Sequence, residues 1–126
     1  MNAQEAELFE LSRQLIKSIE TQNWEQYTLL CDERLTAFEP EALGHLVEGL
    51  DFHHYYFKLS GSGKAKQSTL ISPRVQVFGD AALVTYVRLT QSLDEAGVPK
   101  TSACDETRVW QRKNGQWKHI HFHRST

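Results

Sequence analysis

The hydrophobic period of this 126-residue chain changes once, at Ser60-Gly61-Ser62-Gly63-Lys64-Ala65-Lys66, and that change restricts the fold more than any other feature. Before it, Leu8, Leu11, Leu15 and Ile19 recur every three or four residues. This predicts a helix from Ala3 to about Gln22, with Phe9 and Ile16 widening its apolar stripe. Asn23 with Gln26 resembles a capping box that starts a short helix, Trp24–Asp32. Leu35–Phe38 reads as extended. Pro40 sits where a helix can begin, and Glu41 to about Leu59 reads as helix, interrupted near Gly44 and Gly49. After the Gly/Ser stretch, itself expected as a mobile surface loop, the pattern alternates. Strands are expected at about Gln67–Ile71, Arg74–Phe78, Ala82–Ser92, Thr101–Arg112 and Gln116–Arg124, with a tight turn at Gly79-Asp80 and a longer loop at Asp94–Pro99. Helices first and hairpin-joined strands later mean one α+β domain over residues 1–126, its helices packed on one face of a curved antiparallel sheet.

Charge and composition exclude several classes. A net charge of −2 gives no electrostatic reason to bind nucleic acid or an anionic membrane. At 40% hydrophobic and 24% charged, the chain has ordinary globular composition. Cys31 and Cys104 match neither a disulfide framework nor paired metal ligands, so buried free thiols in a reducing compartment are expected. No signal peptide and no membrane-spanning apolar run is visible, which makes a soluble cytoplasmic protein the expectation.

Each of the last three strands carries one arginine in an apolar or aromatic run: Arg88, Arg108 and Arg124. Alternate residues of a strand face opposite ways, so hairpin register decides whether the three converge. The turn Lys113-Asn114-Gly115 allows two registers. A two-residue Asn-Gly loop sets 113 opposite 116, Arg108 faces His121, and Arg124 falls on the other side. A three-residue loop with Gly115 in a bulge sets 112 opposite 116, Arg108 opposite Ile120, and Arg124 on the same face. The turn by itself favours the two-residue loop.

Thr36-Ala37-Phe38-Glu39-Pro40-Glu41-Ala42-Leu43-Gly44, then Leu46-Val47-Glu48-Gly49 and Asp51-Phe52-His53, closely resemble the association (hub) domain of calcium/calmodulin-dependent protein kinase II. Val87–Gln91, Glu106–Trp110 and His121–Arg124 extend the likeness in the right order over nearly the whole chain. The resemblance implies a cone-shaped fold of the nuclear transport factor 2-like type, dimers that assemble into a closed ring, and an arginine-lined cavity open to small carboxylates. It places His53, Arg88, Arg108 and Arg124 at that cavity and shifts the expected turn to the three-residue form. No Gly-rich nucleotide loop, His-Arg-Asp or Asp-Phe-Gly motif is present, nor a basic amphipathic calmodulin target. The expectation is a free-standing hub, with kinase and calmodulin as partners by family analogy only.

Guanidinium groups in an apolar pocket must be paired, solvated or waiting for an anion. Residue types alone favour ion pairs with acids such as Glu106, Asp105, Glu39 or Glu48; the resemblance brings the anion reading level with them. His119, His121 and His123 alternate on one strand face, a spacing that can ligate a metal, but no carboxylate ligand accompanies them except Asp105. Surface or interface histidines, with no metal and no cofactor, are therefore expected. A cavity enzyme of the polyketide cyclase or ketosteroid isomerase kind, built from Asp51, His53, Tyr27 and Tyr86, is the alternative to a non-enzymatic assembly module. Trp110, Trp117, Val87 and Leu89 leave both sheet faces partly apolar, which favours a homo-oligomer over a monomer.

Overall fold

The computed structural model describes residues 1–59 and 66–126; most of the Gly/Ser-rich stretch, residues 60–65, lies outside them. Helix α1 (Ala3–Glu20) opens on a reciprocal cap in which the Asn2 side chain accepts the Glu5 N–H and the Glu5 carboxylate accepts the Asn2 N–H. Its buried face carries Leu8, Leu15 and Ile16 together with Ser12 and Ser18. Both serine hydroxyls donate to carbonyls of the preceding turn, which lets them face the core. Ser12 Oγ also accepts the indole N–H of Trp110 at 3.2 Å, a polar pin between helix and sheet where Trp110 is wholly buried.

Helix α2 (Trp24–Leu30) is capped by Asn23, whose side chain accepts the Gln26 N–H, and it runs directly into strand β1 (Cys31–Phe38). The strand thus starts earlier than the sequence pattern suggested. The helix expected from Glu41 to Leu59 is not continuous. A single 3-10 turn at Pro40–Ala42 ends at Leu43 (φ 54°), and Gly44 (φ 87°) and Gly49 (φ 78°) are also left-handed. Three such residues within one segment cannot lie in a right-handed helix. The chain makes the two-residue strand β2 (Val47–Glu48) against β1 instead, and only Asp51–Lys58 is helical (α3).

Four long strands complete the molecule: β3 (Gln67–Phe78), β4 (Ala81–Leu93), β5 (Pro99–Lys113) and β6 (Gln116–Arg124). The sheet order is β2-β1-β6-β5-β4-β3, antiparallel except where β1 runs parallel to β6. The two strands expected on either side of Ser72-Pro73 are one strand, β3, with a register shift between Ile71 and Arg74 and Ser72 at φ 51°. Pro73 is tolerated because β3 is an edge strand. The Gly79-Asp80 turn and the 94–98 loop fall where the pattern placed them.

The last hairpin corrects the register. Lys113 pairs with Gln116, so the loop is the two-residue one, with Asn114 (φ 51°) and Gly115 (φ 78°) both left-handed. The three-residue turn is absent. Pairing continues through Trp110 and His119, and then Val109 meets His121, leaving Ile120 as the extra residue of a bulge. Past it, Arg108 pairs with Phe122 and Glu106 with Arg124. The slip that gathers the arginines occurs inside the strand. It also splits the histidines: His119 faces inward beside Trp110, whereas His121 and His123 pack against Phe38 on the opposite face. The single-face histidine row is therefore not formed. Among the described residues no helix is long and apolar enough to cross a membrane.

Candidate functional site

Along the inner face of β4 and β5 the pairs run Ala82–Trp110, Val84–Arg108, Tyr86–Glu106 and Arg88–Cys104. Phe122 and Arg124 of β6 continue the two middle rows. These rows, closed by α2, α3 and the Glu39–Glu41 corner, surround a cavity of about 510 Å³. His53, Arg88, Arg108 and Arg124 all line it, together with Glu39, Glu41 and Glu106. The sequence-predicted set is brought together.

Glu106 is the electrostatic centre. Its carboxylate accepts from Tyr86 Oη (2.6 Å), Arg108 Nη2 (3.1 Å) and Arg88 Nη1 (3.3 Å). Burial alone would raise its pKa, but Arg108 and Arg88 overcome this and hold it at about 2. Arg108 is buried and each of its three nitrogens is engaged: Nε donates to Tyr86 Oη, Nη2 to Glu106, and Nη1 to His119 Nε2 at 3.3 Å, with the Phe122 ring beneath it at 4.8 Å. Burial opposes its charge, yet Tyr86 and Glu106 raise its pKa. Because a guanidinium only donates, His119 Nε2 must accept, and the proton sits on Nδ1, 3.6 Å from Cys31 Sγ. Burial and Arg108 together keep His119 neutral, well below its ordinary pKa. Burial likewise pushes the Cys31 thiol up to about 12.

The other two arginines are less committed. Arg88 Nε donates to Ser68 Oγ at 3.0 Å and Nη1 to Glu106, while among the described residues Nη2 has only the Glu20 carboxylate at 3.7 Å, beyond hydrogen-bond reach. Arg124, at the mouth, donates from Nη2 to Glu41. Its remaining N–H groups have no partner among the described residues. His53 Nε2 lies 2.9 Å from Glu39 Oε1; its Nδ1 is buried without a hydrogen-bond partner.

The ion-pair reading thus holds for all three arginines: Glu106 is among the expected acids, and only Arg124 takes a partner outside them. Glu106 serves two of them and Glu41 the third; Glu39 serves His53, and Asp105 and Glu48 are exposed. Glu106 was legible as a residue two before Arg108 on the same strand face. Glu41 and Glu20 were not, because no local spacing ties them to β6 or β4. Cys104 is half-buried and borders the cavity, correcting the expectation of a buried thiol. The enzyme constellation is not assembled: Asp51 is exposed at the start of α3 and does not border the cavity, and the Tyr86 hydroxyl is spent on Glu106. Among the described residues no group of three or more His, Cys, Asp or Glu side chains could hold a metal.

A family model described as the calcium/calmodulin-dependent protein kinase II association domain matches residues 4–126. The delta subunit of calcium/calmodulin-dependent protein kinase type II from Oryctolagus cuniculus is 49% identical over 128 residues, which is 99% of this chain and 24% of that relative. The chain therefore spans about a quarter of that curated relative's length. Among solved structures, the association domain of the C. elegans kinase superposes with a TM-score of 0.93 at 43% identity, covering 98% of this chain and 96% of that one. The hub of the S. rosetta kinase gives 0.83 at 41% identity, covering 94% and 92%. Proteins of the nuclear transport factor 2-like superfamily, such as one from Salmonella enterica at 19% identity and a TM-score of 0.77, share the fold.

Proposed function

The chain belongs to the calcium/calmodulin-dependent protein kinase II association-domain family, and from that premise we propose that it is a non-enzymatic module that pairs with copies of itself, builds a closed ring, and takes a small carboxylate or other anion in its cavity. Donor accounting carries the cavity half of this reading. Arg108 has no nitrogen to spare, whereas Arg124 keeps N–H groups uncommitted at the mouth and Arg88 keeps Nη2. An anion therefore binds across Arg124 and Arg88 over a floor that Arg108 and Glu106 hold rigid, with His53 setting Glu39 at the rim. Each charged hydrogen bond so made contributes about 1.5–3 kcal/mol, which suits a weakly held metabolite.

Self-association is supported by the exposed apolar surface. Leu43, Phe78, Leu29, Tyr55, Val98 and Leu46 all stand largely in solvent in the single chain, and Phe38 lies outward beside His121 and His123. Any link to a kinase or to calmodulin is proposed from the family alone. The test is the native mass of the purified protein with and without excess acetate or succinate. A large, defined oligomer carrying one adduct per subunit is the expected result. A monomer would overturn the assembly reading, and an oligomer without adduct or titration heat would overturn the cavity reading.

A further inference from the structure

A second depression, about 920 Å³, runs between α1, the end of α3 and β3, and its wall includes Glu10, Arg13, Lys17, Glu20 and Ser68. Arg88 borders both this groove and the cavity, as do Ile19, Tyr56 and Phe57. Two charged groups stand in that shared wall, the exposed Lys66 and the largely buried Arg88. The Arg88 Nε and Nη1 are fixed by Ser68 and Glu106, and Nη2 is the corner with no hydrogen-bonded acceptor among the described residues. Glu20, the last residue of α1, reaches that corner but stops at 3.7 Å, and its Oε1 is buried with no hydrogen-bond partner. A buried carboxylate oxygen without a donor is costly, and among the described residues Arg88 is the cation close enough to offset it directly.

We infer that Glu20 is an internal competitor for the cavity's anion: it shares the Nη2 corner of Arg88 with the ligand, sets the ligand's affinity, and ties occupancy of the cavity to the C-terminal turn of α1. The inference rests on the anion reading of the cavity. When a carboxylate takes Arg88 Nη2, the Glu20 oxygen loses the Arg88 counter-charge and moves toward the water of the groove. The turn from Lys17 to Thr21, whose last carbonyls accept from Thr21 and Gln22, loosens with it. Glu20 thereby works as a positioning residue that acts through Arg88.

The experiment is titration of succinate into wild type, Glu20→Gln, Glu20→Ser and Arg88→Ala, with hydrogen exchange of α1 measured with and without succinate. Glu20→Gln and Glu20→Ser are expected to bind succinate about three- to tenfold more tightly than wild type, and Arg88→Ala to lose most of the binding. Saturating succinate should speed exchange at residues 18–22 in wild type and leave it unchanged in Glu20→Gln. A merely structural role for Glu20 would raise that exchange without ligand and leave the affinity where it was. Equal affinity across wild type and both Glu20 variants, with binding lost in Arg88→Ala, would overturn the competitor and leave the anion cavity standing. No binding to any of the four proteins would overturn the anion reading itself.

Discussion

Three arginines share one cavity, but their accessibility separates their roles. Arg108 sits 2% exposed, and its side chain is the main counter-charge for a glutamate that is 1% exposed. Arg108→Ala strands that carboxylate in the core, so it should cost about 3–5 kcal/mol in a denaturant titration. A loss under about 1 kcal/mol would show that Arg88 alone sustains Glu106. Arg124 and Glu41 are 26% and 37% exposed, and a pair of that kind contributes about 0–1 kcal/mol. Arg124→Ala is therefore expected to leave the unfolding midpoint almost unchanged while removing carboxylate binding; a binding constant equal to wild type would take Arg124 out of the site. Glu41→Gln should act in the opposite sense, tightening binding by releasing the mouth arginine from its internal partner. Residue identity marked the arginines in advance, and the family motifs, rather than strand parity from the turn, placed them at one cavity. Of the acids that meet them, Glu106 was legible too, whereas Glu20 and Glu41 were not, because they lie far from β4 and β6 along the chain.

At the scale of elements, two devices place the site. The first is the bulge at Ile120, which puts Phe122 and Arg124 on the inner face after an ordinary two-residue turn has placed His119 there. A bulge has no strong sequence signature, whereas Asn114-Gly115 has one: the turn by itself pointed to the two-residue loop that forms, and it was the family likeness, requiring the arginines to converge, that moved the slip into the turn. The turn itself is demanding: with Gly115 at φ 78°, Gly115→Ala should cost about 1 kcal/mol, read from the thermal midpoint. The second device is the pin from Trp110 to Ser12, which holds α1 across β5. Ser12→Ala leaves a fully buried indole N–H without an acceptor, so a loss of about 1–3 kcal/mol is expected; a neutral result would mean that the core relaxes to supply another partner. The segment Glu39–Gly49 shows the opposite lesson. Its helical periodicity was real, but left-handed Leu43, Gly44 and Gly49 break it into a corner that carries Glu39 and Glu41 to the cavity.

For the whole molecule, the buried charge network predicts how stability follows pH. Glu106 has its folded pKa depressed from 4.5 to about 2, so the stability it contributes is complete above pH 4.5 and is lost as the pH falls toward 2. That contribution is on the order of 3 kcal/mol. His119 is also depressed in the fold, and an unfolded chain takes up its proton first as the pH drops below about 6.5. Stability should therefore begin to fall near pH 6.5 and steepen below 4.5, measured as the urea midpoint across that range. His121, depressed by burial and by His123, adds to the same window. His119→Gln should reduce the slope of the upper part alone, and an unchanged slope there would remove His119 as a cause. The sequence by itself determined the α+β order, the tight turns, the family and the arginine set, because periodicity, turn chemistry and close family motifs are local properties of the chain. Only the tertiary structure decided the bulge at Ile120, the opposed faces of His119 and His121, and which acid neutralises which arginine. Those depend on where distant segments meet, and burial then sets the strength of every charge they bring together.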